Sequence, residues 1–160
     1  MEYRVATAAD EPFLRAMLWL AYNWRDESAA EDFWPDPDGP RRYVEGFGRP
    51  GDGGVIAETG GEPAGAAWYR LLPADDAGYG YVADDVPELT IGVAAAHRGQ
   101  GVAAELLERL KATAAADGFR AISLSVEPDN HARRIYERAG FEPEGGSGGS
   151  VTLIARLRRT

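Results

Sequence analysis

A chain of 160 residues, 44% of them hydrophobic, has the length of one domain and enough apolar side chain to bury a core, so residues 1–160 are expected to form a single domain. Its 17 basic residues against 26 acidic ones leave a formal net charge of −9, which argues against a nucleic-acid partner that needs a basic face. The absence of cysteine excludes a disulfide framework, a thiolate zinc site and a cysteine nucleophile, and the opening MEYRVATAADEP lacks the pattern of a signal peptide. A cytoplasmic location with no membrane partner is therefore expected.

Residues 3–6 read as a short first strand, and TAAD at residues 7–10 fits a capping box that opens a helix. Phe13, Leu14, Met17, Leu18 and Ala21 then recur at helical spacing, as a core stripe does. Between residues 22 and 38, Trp24, Phe33 and Trp34 are interleaved with Asp26, Glu27, Glu31, Asp32, Asp36 and Asp38. Such a stretch is either a pocket for a cationic amine, held by cation–π and ion-pair contacts, or a solvated acidic helix pair with buried rings. Residues 40–47 read as a second short helix. Residues 53–59 and 63–71, joined by Gly60 and Gly61, read as a β-hairpin. The polar loop 72–87 carries four aspartates with Tyr79 and Tyr81, and either lines a substrate entrance or is an acidic connection.

Residues 88–93 form the next strand, in which Gly92 marks a bulge or a close approach by another backbone or a ligand. RGQGVA, residues 98–103, hands this strand over to a helix whose apolar face is Val102, Leu106, Leu107, Leu110 and Ala114. Residues 120–126 alternate as a strand, and a strand, crossover helix and returning strand make a parallel pair. Asp129 or Asn130 caps a helix through Tyr136 to Ala139, with Gly140 as its stop. Residues 142–149 have linker composition and read as a long hairpin loop before a final strand over residues 151–157.

The glycine-rich turn at residues 98–103 exposes backbone N–H groups at a helix N-terminus, where an anion is favoured. It lacks both the dinucleotide fingerprint and the lysine of a P-loop. What remains is Arg-x-x-Gly-x-Ala, with Arg98, Gly101 and Ala103 at its fixed positions. In this pattern, with PELTIGV before it, LLERL after it and then LSVEPDNHARRIYERAGF, the sequence resembles the GNAT superfamily of N-acetyltransferases. The resemblance is close over residues 88–141 and looser elsewhere.

That resemblance implies a mixed, mostly antiparallel sheet of about six or seven strands flanked by about four helices, with a splayed parallel pair at the cofactor site. It implies acetyl-CoA as acyl donor and a small-molecule amine as acceptor. N–H groups of Gly99, Gln100, Gly101, Val102 and Ala103 would cradle the pyrophosphate, with Arg98 nearby. Pantetheine would lie along Ile91, Gly92 and Val93, and Asn130 would contact its arm. Arg133 would either reach a phosphate or form a structural ion pair. Glu88 is the expected base, or else binds the ammonium or caps its strand, and Tyr136 either protonates the departing thiolate or packs against Phe141. Gly92 and Val93 N–H groups would polarise the thioester carbonyl.

Trp24, Trp34, Tyr79 and Tyr81 are the candidate acceptor contacts, and the acidic stretches point to a cationic small molecule. His97 and His131 lack metal-ligand spacing, so no metal is expected. A homodimer is compatible with the resemblance, although no residue identifies an interface. The alternatives are a non-catalytic acyl-CoA sensor, and an acetyltransferase acting on protein N-termini or lysines.

Overall fold

Strands that alternate apolar residues toward both faces need a layer of helix on each side. The computed structural model, which describes residues 1–147 and 149–158, meets that need. Seven strands, β1 (Glu2–Val5), β2 (Gly53–Thr59), β3 (Glu62–Arg70), β4 (Glu88–Val93), β5 (Ala121–Val126), β6 (Glu142–Ser147) and β7 (Ser150–Arg156), form one sheet. The helices are α1 (Glu11–Tyr22), α2 (Gly39–Tyr43), α3 (Val102–Ala116) and α4 (Ala132–Arg138). The strand order is β1-β2-β3-β4-β5-β7-β6, and every neighbouring pair is antiparallel except β4 and β5. This is the mixed, mostly antiparallel sheet with a parallel pair that the sequence predicts.

The alternation divides the core in two. Val55, Ala57, Ala67, Tyr69 and Leu89 join Ile122 and Leu124 against Leu106, Leu107 and Leu110 of α3. Ile56, Ala66 and Trp68, from the same strands, turn the other way onto Leu14, Met17 and Leu18 of α1 and onto Tyr43 and Val44. The helix expected over residues 40–47 stops at Tyr43. The carbonyls of Arg42, in its last turn, and of Glu45, beyond its end, accept hydrogen bonds from the Arg70 guanidinium, at 3.4 and 2.7 Å. Arg70 is itself buried and paired with Asp52 at 2.9 Å.

Two expectations need correction. Residues 142–149 are not a loop, because residues 142–147 form β6, an edge strand paired with β7 and bulged between Pro143 and Gly145; Gly148 of that stretch lies outside the described residues. The pairing rests on the backbone ladder of β7, not on β-forming side chains, and an edge tolerates Pro and Gly. Nor does β4 carry a bulge at Gly92. Its register with β3 runs without interruption from Arg70↔Glu88 to Gly65↔Val93. Gly92 is instead a point of close approach, since a Cβ there would lie 2.8 Å from the Met17 carbonyl oxygen and 3.0 Å from Met17 Cβ. A Gly92→Ala variant is therefore expected to lose about 1–3 kcal/mol of stability, because α1 must back away from the sheet. Urea unfolding of the two proteins measures that loss.

Candidate active site

The parallel pair is in register at one point only, Glu88↔Ser123, where the Ser123 N–H donates to the Pro87 carbonyl at 3.0 Å. Past that point β5 continues on β7 and leaves β4. Ala94 N–H bonds to Ala64 O at 2.8 Å, continuing the β3–β4 register. Antiparallel alternation therefore turns the N–H and C=O groups of Thr90 and Gly92 toward β3, and those of Ile91 and Val93 toward the opening. Gly92 N–H, expected at the thioester carbonyl, is thus committed to the sheet, and Val93 N–H faces the gap.

The gap is a cleft of about 1310 Å³ walled by both helical layers. From one face come Leu18, Tyr22 and Tyr43, and from the other Val102, Ala103, Ile135 and Tyr136. Its donor end is the turn before α3, where Gly99 and Gly101 adopt φ of 76° and 78°. No atom lies within 4 Å of a Cβ built on either glycine. Positive φ at two glycines and an open approach fit a turn that presents backbone N–H groups to a phosphate at the start of a 15-residue helix. Arg98 lines this end, donating from Nε to Val93 O at 3.0 Å and pairing with Glu27 at 2.8 Å. Glu27 belongs to the segment between α1 and α2, whose Arg25 pairs with Glu127 and Asp129 beyond β5, both at 2.7 Å. That segment is tied to both sides of the cleft.

Glu88 enters the cleft wall from the start of β4 with only 4% of its surface exposed. Its Oε2 accepts from the Tyr43 hydroxyl at 2.6 Å and its Oε1 from the Gly80 N–H at 3.1 Å. Burial raises its carboxyl to about 7, against the opposing effects of those two hydrogen bonds and of the Arg42 charge. Tyr136 packs edge-on against Phe141, at 6.2 Å between ring centroids, and lines the cleft from α4. Burial pushes its phenol up to about 12, and among the described residues its hydroxyl has no hydrogen-bond partner. The packing of Tyr136 on Phe141 is therefore present, with its hydroxyl on the cleft wall.

Of the other candidates, Ile91, Gly92, Val93, Gly99, Gly101 and Val102 line the cleft, as do Ala103, Asn130, Trp24 and Tyr79. Asn130 Oδ1 also accepts the Ala132 N–H at 2.9 Å, closing the turn into α4. Four candidates lie off the wall. Gln100 is exposed in the turn, and Arg133 pairs with Glu137 at 3.6 Å along α4. Trp34 packs edge-on against Tyr22 at 6.0 Å, and the Tyr81 hydroxyl donates to Asp84 at 2.7 Å beside a separate small hollow. Tyr43 is the functional neighbour that sequence reasoning missed. It stands 45 positions before Glu88, and no local pattern links the two. Among the described residues, no group of three or more His, Cys, Asp or Glu side chains is placed to hold a metal, and no helix is long and apolar enough to cross a membrane.

A family profile described as the Acetyltransferase (GNAT) family matches residues 14–141. No curated protein sequence matches the chain. Among solved structures, the GNAT domain of S. lividans PAT is similar with a TM-score of 0.71 and 24% identity, over 97% of this chain and 89% of that one. Ribosomal-protein-alanine N-acetyltransferase from Brucella melitensis gives 0.71 and 24%, over 98% of this chain and 100% of its own. The yncA protein of Salmonella typhimurium, solved with its cofactor acetyl-CoA, gives 0.70 and 20%, over 100% and 95%. At these identities the likeness is one of fold.

The raised carboxyl of Glu88 has a measurable cost. Between its ordinary value of 4.5 and about 7, the folded protein keeps a proton that the unfolded chain has released, so stability falls as pH rises through that window and levels off above it. Urea unfolding at pH 4.5 and pH 8 should show the wild type losing about 3 kcal/mol relative to Glu88→Gln, which has no such proton to lose.

Proposed function

This chain belongs to the GNAT acetyltransferase family, and from that premise we propose that it is an N-acetyltransferase moving the acetyl group of acetyl-CoA to a primary amine, by direct attack in a ternary complex. The observation that carries the reading is the parting of β4 from β5 immediately after Glu88. It leaves the Ile91 backbone and the Val93 N–H to take an extended ligand as an added strand, the Val93 carbonyl being held by Arg98, with a titratable carboxylate at the closed end.

Bound acetyl-CoA supplies an acyl group activated as a thioester. Glu88, half ionised near neutral pH, takes a proton from the acceptor ammonium, directly or through one water, and so frees the nitrogen lone pair. The nitrogen forms its bond to the carbonyl carbon and the carbon–sulfur bond breaks. Val93 N–H faces the gap where negative charge gathers on the carbonyl oxygen. Tyr136 stays protonated through neutral pH and gives its proton to the departing sulfur, and the acylated nitrogen sheds its remaining extra proton, which restores the phenol, as the neutral amide forms. The N–H groups of residues 99–103 hold the pyrophosphate together with Arg98, which must release Glu27 to do so.

The acceptor is read as a small cationic molecule. Tyr22 and Tyr79 line the cleft along with Asp36 and Glu88, and Trp24 lines it too, with the Arg25 guanidinium over its ring at 4.4 Å. The wider acidic stretches contribute less than their composition implies, because Glu27, Asp36, Asp76 and Asp85 are each paired with an arginine. The chain is expected to work in the cytoplasm as a single catalytic domain.

Thiol release from acetyl-CoA, measured across a panel of amines, tests the proposal. Release with cationic primary amines is expected, falling about 10²- to 10⁴-fold in kcat for Glu88→Gln. Tyr136→Phe should lower kcat while leaving acetyl-CoA affinity unchanged. Acetyl-CoA binding without release by any amine would identify a sensor instead, and activity confined to neutral or acidic amines would remove the cationic acceptor.

A further inference from the structure

We infer that Tyr43 is a positioning residue for the reaction, its one hydroxyl fixing both the Glu88 carboxylate and the Tyr79 wall of the acceptor end. The inference rests on the reading of Glu88 as the base. Tyr43 comes from α2, is 5% exposed and lines the cleft beside Glu88. Its hydroxyl is fully used: it donates to Glu88 Oε2 at 2.6 Å and accepts from the Tyr79 N–H at 3.0 Å. The ring is held edge-on to Tyr22 at 6.4 Å, and its carbonyl takes the Trp68 indole N–H at 2.9 Å. The ring is therefore placed against α1 and the backbone is held by β3.

With Gly80 N–H on Oε1, the two carboxylate oxygens each face a fixed donor, so the plane of the carboxylate cannot turn. Gly80 is held in turn by the Ser123 hydroxyl, which donates to its carbonyl at 2.7 Å. The other charged or titratable groups near the carboxylate are committed elsewhere. From α2, Arg42 is paired with Asp36 at 3.1 Å; from β3, Arg70, the register partner of Glu88, is paired with Asp52. From α1, the Tyr22 hydroxyl donates to Asp36 at 3.3 Å, and from the loop the Tyr79 phenol is raised by burial and by the Asp36 charge. The Tyr43 hydroxyl is thus the only side chain that hydrogen-bonds Glu88 among the described residues. It favours the ionised carboxylate against the burial that opposes it.

Tyr43→Phe keeps the ring and removes only the hydroxyl. The acid limb of kcat/KM for the amine should move up by about one pH unit, so activity below the limb falls about tenfold and returns at high pH, with the KM for acetyl-CoA unchanged. A ¹³C NMR titration of Glu88 in the protein without ligands should show the same upward shift independently of turnover. An unmoved limb and an unmoved Glu88 titration, or a loss uniform across pH with a raised KM for acetyl-CoA, would reduce Tyr43 to packing and overturn the inference. Glu88→Gln separates the two readings. If it abolishes the acid limb while Tyr43→Phe leaves it in place, Tyr43 alone is misassigned; if Glu88→Gln keeps the limb, the base reading fails and the Tyr43 inference falls with it.

Discussion

A single parallel bridge, Glu88↔Ser123, sets the geometry of everything around it. A sheet gains by continuing its ladder, and β5 does continue, but on β7 and not on β4. The two strands are pinned at their starts by the Ser123 N–H on Pro87 and by Gly80, which links the Ser123 hydroxyl to the Glu88 carboxylate. A Cβ at Gly80 would lie 2.7 Å from the Leu124 carbonyl carbon, so the loop can pass this close only at a glycine. The result is a sheet of seven strands with two open edges in its middle, which open edges at a sheet's rim do not provide: walls of helix on both faces.

The electrostatics of Glu88 follow from that position. A carboxylate with two hydrogen-bond donors and a guanidinium in the vicinity would ordinarily titrate low, and burial overrides all three. Burial wins, and carries the carboxyl from its ordinary value of 4.5 to about 7. Arg42 exerts little pull because Asp36 already claims it, and Arg70 is spent on Asp52 within the same layer. The arginines of this face neutralise other acids, and Glu88 is left with dipoles.

Most of the fold and the glycine turn before α3 were legible in the sequence because they rest on local signals. The glycines at 99 and 101, the helical stripe of α3 and the alternation of β5 each lie within a few residues of one another. The strand bounds of β2 and β4 were read correctly for the same reason. What escaped depended on contacts distant in the chain. Residues 142–147 have no strand character of their own and pair because β7 offers a free ladder. Gly92 reads equally as a bulge or a contact until Met17 is placed against it. Tyr43 sits in a helix of five residues with nothing nearby to mark it, while Trp34 and Tyr81 carried the right side chains at positions that face elsewhere.

The order of the chain follows the order of the cleft. The wall around Tyr22, Asp36, Tyr43 and Tyr79 is complete before Glu88, and the turn, Val102, Asn130 and Tyr136 all come after it. Glu88 is the seam, and the two stretches are joined across it by the β3–β4 ladder and by Leu106, Leu107 and Leu110 of α3 packed on Val55, Ala67 and Tyr69. The first 87 residues can therefore be remodelled around a new occupant only at positions outside that shared core, such as the exposed Tyr79. A chimera cut at this seam would have to rebuild the β3–β4 ladder and the packing of α3 on β2 and β3, so the two halves of the cleft share one core although the chain lays them down in order.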